Sequence, residues 1–203
     1  MNLNDKLRDT IKRNVQNHYE SLSLLFGKPD SGNLTLAINN YNRPISYTRK
    51  EFISFSLNNS FDKESNQILA HEIAHLWWNK ANIKNWEDWL NEGLAEYSSL
   101  ILFREKYGNS VFKENISKLK TKIKDLPPIY NINYNNEYRQ DVVTYKSAYL
   151  LYELENKIGK TNFIDLLKIF YKSNEINNAT FLSLIENKFG IAIKEEFESK
   201  LKE

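Results

Sequence analysis

The chain has 203 residues, 41% hydrophobic and 13% aromatic, enough for one well-packed domain or a domain with a subdomain. Its net charge of +2, from 28 basic and 26 acidic residues, gives no electrostatic case for nucleic acid or an anionic membrane as partner. The absence of cysteine excludes disulfides, thiolate metal sites and a cysteine nucleophile.

The first residues are charged and lack the apolar run of a signal peptide, and no stretch is long and apolar enough to span a bilayer. The sequence as it stands therefore reads as cytoplasmic, or as secreted if a leader has been removed. Residues 3–26 predict an amphipathic helix, with Leu7, Ile11, Val15, Leu22 and Leu25 at helical spacing and Gly27-Lys28-Pro29 ending it. His18 lies within it without a partner at ligand spacing and reads as a surface or packing residue. Residues 34–38 and 52–57 are short, apolar and partly β-branched or aromatic, and predict strands; Asn39, Asn40, Asn42 and Pro44 supply turn chemistry between them. Residues 45–48 fit a third short strand.

A helix then begins near Ser60 or Asp62, both good N-caps, and runs past His75 into Trp77 and Trp78. Two of the three histidines of the chain stand in it, in His71-Glu72-Ile73-Ala74-His75. Residues four apart lie one turn above each other on one helix face, so the two imidazoles can share one zinc ion. The carboxylate of Glu72 can reach water bound to that ion. Trp77 and Trp78 read as packing residues. After a connection over 81–88 comes a second helix, opening with Trp89-Leu90-Asn91-Glu92-Gly93-Leu94-Ala95-Glu96. Catalytic zinc commonly takes three protein ligands and leaves one position open; two histidines and a glutamate form one such set. Glu92 is the natural third ligand, and Gly93 beside it lets two backbones approach. Glu96, one turn on, can accept the free ring N–H of a ligand histidine and so fix its tautomer.

The lysines between Arg104 and Lys124 are spaced rather than blocked, as on a solvated helix face. Residues 125–139, opened by Asp125-Leu126-Pro127-Pro128 and rich in Asn and Tyr, predict an irregular segment that forms either a wall or lid of a cleft or a plain surface loop. From Asp141 the pattern is helical to the end, punctuated near Gly159, at 178–180 and at Gly190. The stripes Phe163, Leu166, Leu167, Phe170 and Phe181, Leu184, Ile185 are core faces.

These residues carry a resemblance. His71, Glu72 and His75 match H-E-x-x-H, and Trp89 to Gly93 match W-L-N-E-G. Together they resemble the gluzincin clan of zinc metallopeptidases, and within it the catalytic domain of the leukotriene A4 hydrolase and aminopeptidase N family. The spacer over 76–91 is two residues shorter than in that family. The resemblance implies one Zn2+ ion held by His71, His75 and Glu92, with Glu72 as general base and Glu96 behind the ligands. It also implies an oxyanion-stabilising tyrosine in a Y-x-K-G segment. Thr144-Tyr145-Lys146-Ser147-Ala148 resembles that segment with its lysine one residue early and Ala148 in place of the glycine. Tyr145 is the best match, with Tyr149 and Tyr138 as alternatives. An edge strand beside the active-site helix, expected around 52–57 or just before it, would pair with the substrate backbone.

The expectation is thus an α+β, zincin-like fold: one metallopeptidase domain over 1–203, with a helix and small sheet over 1–59 and a zinc-binding helical part over 60–203. The expected function is zinc-dependent hydrolysis of a peptide or protein substrate, as an endopeptidase or oligopeptidase. Aminopeptidase is the alternative, and no G-x-M-E-N motif for reading a free amine is present. A metal-retaining binding or regulatory module is a further alternative. Substrate identity and oligomeric state are not legible.

Overall fold

The computed structural model describes residues 4–30, 32–40, 45–57 and 60–203. Asn4 caps the first helix, α1 (Asp5–Phe26), its side chain accepting the Leu7 amide at 2.8 Å. Gly27 ends α1 at φ +89°, a conformation that favours glycine. His18 is buried on this helix, and its Nε2–H donates to the Asn66 side-chain carbonyl at 2.9 Å. It is a packing residue, and burial holds its pKa below the ordinary histidine value, with Lys106 adding to the effect against the Asn66 bond.

Three short strands follow: β1 (Thr35–Asn40), β2 (Tyr47–Arg49) and β3 (Phe52–Leu57). Their order is β1-β3-β2, with β1 parallel and β2 antiparallel to β3. Asn39 and Asn40, expected in a turn, instead continue β1 to pair with Ser56 and Leu57; the Asn39 side chain finds a partner in the Ser54 hydroxyl. The expected turn residues Asn42 and Pro44 lie outside the described residues. β3 is central and packs Ile53, Phe55 and Leu57 inward, with β1 and β2 as the two edges, and both β2 and β3 touch the helix that follows.

Asp62 caps α2 (Lys63–Ala74), accepting the Ser65 amide at 2.8 Å. This helix stops at Ala74 rather than running through the tryptophans. The Leu76 amide turns back to Ile73, and those of Trp77 and Trp78 to Ala74. Both tryptophans are core: Trp77 Nε1 donates to the Gly27 carbonyl and Trp78 Nε1 to Ser98. A 3-10 turn over Trp86–Asp88 leads into α3 (Trp89–Tyr107), almost wholly buried between α2 and the later helices. α4 (Asn109–Lys122) buries Phe112, Ile116 and Leu119 and leaves its lysines in solvent, as their spacing predicts.

Residues 123–138 are irregular but pinned. Ile129 and Ile132 are buried, the Tyr130 amide bonds the Leu201 carbonyl, and Lys146 Nζ donates to the carbonyls of Leu126 and Pro127. A short helix α5 (Arg139–Asp141), a π-helical turn (Val142–Lys146) and α6 (Ser147–Ile158) run on continuously. α7 (Lys160–Tyr171), α8 (Asn178–Phe189) and α9 (Ile191–Leu201) complete the chain. Gly159 and Gly190 separate helices as expected, and Asn177 caps α8. The architecture is α+β, a three-stranded sheet beside a mainly helical remainder. No helix among the described residues is long and apolar enough to cross a membrane.

Candidate metal centre

α2 and α3 lie side by side, and the seam between them carries the ligand set. His71 Nε2 and His75 Nε2 stand 3.2 Å apart. Glu92 Oε2 is 3.6 Å from His71 Nε2, and Glu92 Oε1 is 3.7 Å from His75 Nε2. Ligands about 2.0–2.1 Å from a tetrahedral ion would be separated by about 3.3–3.4 Å, so the three side chains fit zinc.

The far side of each ring supports the same reading. His71 Nδ1–H donates to Glu96 Oε2 at 2.9 Å, and His75 Nδ1–H to the Trp78 carbonyl at 2.9 Å. With both Nδ1 atoms donating, both Nε2 lone pairs face one point in company with a carboxylate. Three electron-rich atoms converge there, an arrangement a cation stabilises. The helix stop after Ala74 is what turns the Trp78 carbonyl back to meet His75. Without metal, burial acts to lower the His71 pKa, but Glu92 and Glu96 outweigh it and hold it well above the ordinary value. Burial likewise opposes ionisation of Glu92, yet His71, His75 and Gln140 bring its pKa down to about 2.

The second motif is explained residue by residue. Trp89 is buried against Phe181, ring centroids 5.5 Å apart. The Asn91 side chain pairs with both backbone groups of Ala81 and donates to Asp88, clipping the connection to α3. Arg139 braces the same place, donating to Asp88 and to the carbonyls of Ile83 and Asn85. Gly93 serves a different approach from the expected one. A Cβ there would lie 2.5 Å from Ser147 Cβ, so the glycine admits α6 and the π turn, not α2.

Glu72 is buried one residue after His71, and its Oε2 accepts the Thr48 hydroxyl at 2.7 Å. The half-buried Tyr145 ring packs against the core, with Lys122 Nζ 3.5 Å from its centroid. The residue before it contacts Glu92. Thr144 Oγ1 lies 3.5 Å from Glu92 Oε2, and Gln140 Nε2 reaches both Thr144 Oγ1, at 3.0 Å, and Glu92 Oε2, at 3.3 Å. Tyr149 packs its ring against Tyr152, and Tyr138 is exposed two residues before Gln140. Thr48, Gln140 and Thr144 escape a reading by motif; the i, i+4 spacing of Gln140 and Thr144 is the one signal that marks a shared face.

Residues 41–200 match the model of the peptidase family M1 domain. The chain belongs to peptidase family M1. In an alignment of 137 residues that covers 60% of its length, this M1 domain is 30% identical to bovine (Bos taurus) endoplasmic reticulum aminopeptidase 2, of which the match spans 14%. In fold it is similar to an M1 zinc metallopeptidase from Deinococcus radiodurans, with a TM-score of 0.80 and 18% identity, covering 93% of this chain and 44% of that one. Yeast LTA4 hydrolase gives a TM-score of 0.71 at 19% identity, covering 93% of this chain and 33% of that one. The M1 domain thus spans less than half the length of these relatives. The gluzincin resemblance carried by the two motifs is borne out.

Proposed function

We propose that this M1 domain hydrolyses peptide bonds with one zinc ion held by His71, His75 and Glu92. The observation that carries the reading is the convergence of three ligand atoms at 3.2–3.7 Å with both imidazole Nδ1 atoms already donating elsewhere. Zinc, when bound, acidifies a water and polarises the scissile carbonyl. Glu72 takes the proton of the attacking water and delivers it to the leaving amine. Glu96 and the Trp78 carbonyl hold the rings in place, and Gln140 with Thr144 holds one oxygen of Glu92. Tyr145 has no part in this scheme.

Within that reaction we favour an endopeptidase or oligopeptidase. Reading a free N-terminal ammonium needs an acidic side chain beside the cleft, and β2, the outer strand next to α2, offers Tyr47, Thr48 and Arg49 instead. The aminopeptidase among the relatives favours the alternative, removal of single N-terminal residues. Mass-spectrometric digestion of a peptide library, free and N-acetylated, tests both. An endopeptidase cuts both sets internally; loss of cleavage on acetylation shows an aminopeptidase. Glu72→Gln is expected to keep zinc and abolish cleavage, and full activity in that variant removes Glu72 from the reaction.

A further inference from the structure

The helix that carries both histidines ends abruptly, and this leaves the Glu72 carbonyl in an unusual position. In a continuing helix it would accept the Leu76 amide. Here that amide goes to Ile73, and the next two go to Ala74. The Thr48 hydroxyl lies 2.8 Å from the Glu72 carbonyl and 2.7 Å from Glu72 Oε2, its one proton shared between the two acceptors. One side chain from the outer strand thus touches the main chain and the carboxylate of a single buried glutamate. β2 alternates as a strand must, with Tyr47 and Arg49 exposed and Thr48 turned inward. Its register against β3, Thr48 opposite Ile53, fixes the height at which the hydroxyl meets the helix. A β-branched side chain is stiff at χ1, which suits a fixed contact.

We infer that Thr48 is the positioning residue for Glu72: its hydroxyl folds the carboxylate back toward its own carbonyl and holds it in one rotamer at the seam between β2 and α2. The inference rests on the hydrolase reading for its kinetic consequence and on geometry alone for its structural one. Removing the hydroxyl frees the carboxylate to swing and leaves a helix-end carbonyl without its side-chain partner. Shape is conserved by valine, and the contact is conserved by serine.

The test uses the full zinc-loaded chain as wild type, Thr48→Val and Thr48→Ser. Zinc stoichiometry, kcat and KM on a fluorogenic peptide, and crystal structures of all three are the readouts. Thr48→Val is expected to bind zinc stoichiometrically and to keep KM within about twofold, while kcat falls about ten- to a hundredfold, the worth of one hydrogen bond to a charged group. Its Glu72 carboxylate is expected to leave the wild-type rotamer. Thr48→Ser is expected to restore both rotamer and rate. An unchanged kcat in Thr48→Val, or an unmoved Glu72 side chain, overturns the inference, as does a Thr48→Ser variant as impaired as the valine one. If the wild type cleaves nothing, the hydrolase reading falls, and the Glu72 rotamer in Thr48→Val still decides the positioning role.

Discussion

At the scale of single residues, the tautomers carry the argument. A histidine becomes a zinc ligand through Nε2 only if something holds its Nδ1 proton, and here Glu96 and the Trp78 carbonyl do so. Glu96→Ala is therefore expected to weaken zinc binding about ten- to a hundredfold, measured by competition with a chelator of known affinity; an unchanged affinity would show that the His71 ring is oriented by packing alone. Tyr145→Phe is expected to leave kcat unchanged, because the ring serves Lys122 and the core; a clear loss of rate would return the tyrosine to the site. The pairing of His71 with His75 was legible from helix spacing, whereas Glu92, on the next helix, was reached only through its motif. Which of Thr144 and Tyr145 contacts Glu92 was not legible, because both lie on a π turn over Val142–Lys146 whose helical phase leaves no mark in the sequence.

Between elements, the critical approach is that of α3 to α6. Gly93 is the point of contact, and Ser147 fills the space a side chain would need. Gly93→Ala is expected to cost about 1–3 kcal/mol of stability through overpacking and to shift Glu92 off its partners. Differential scanning calorimetry and zinc affinity together check this, and Ser147→Gly in the same chain should recover part of the loss if the clash is the cause. The small glycine beside Glu92 could be read from sequence, but its partner could not, because Ser147 is remote in the chain. The stop of α2 was equally hidden: Leu76, Trp77 and Trp78 are compatible with helix, and tertiary bonds to Gly27 and Ser98 decide against it. The strands were legible from their short apolar, β-branched and aromatic runs; the pairing that puts β3 between β1 and β2 was not, since it depends on register rather than on composition.

For the whole molecule, α1 is tied to α2 by His18 and Asn66. Burial depresses the His18 pKa in the folded state, so the unfolded chain binds more protons below the ordinary value of about 6.5. The stability contributed by neutral His18 is complete above that pH and falls as pH drops toward the depressed folded value. Urea titrations at pH 7.5 and 5.5 are expected to show a smaller acid loss for His18→Gln than for wild type; equal losses would mean that His18 is not the titrating group. The comparison with the variant removes the opposite contribution of His71, whose pKa is raised without metal. A crystal structure of the zinc-loaded protein, with anomalous data on both sides of the zinc edge, tests the proposed ligand set. One anomalous peak at bonding distance from His71 Nε2, His75 Nε2 and the Glu92 carboxylate is the result expected; a stoichiometric zinc elsewhere, or a Glu92 carboxylate turned away from both rings, would contradict it.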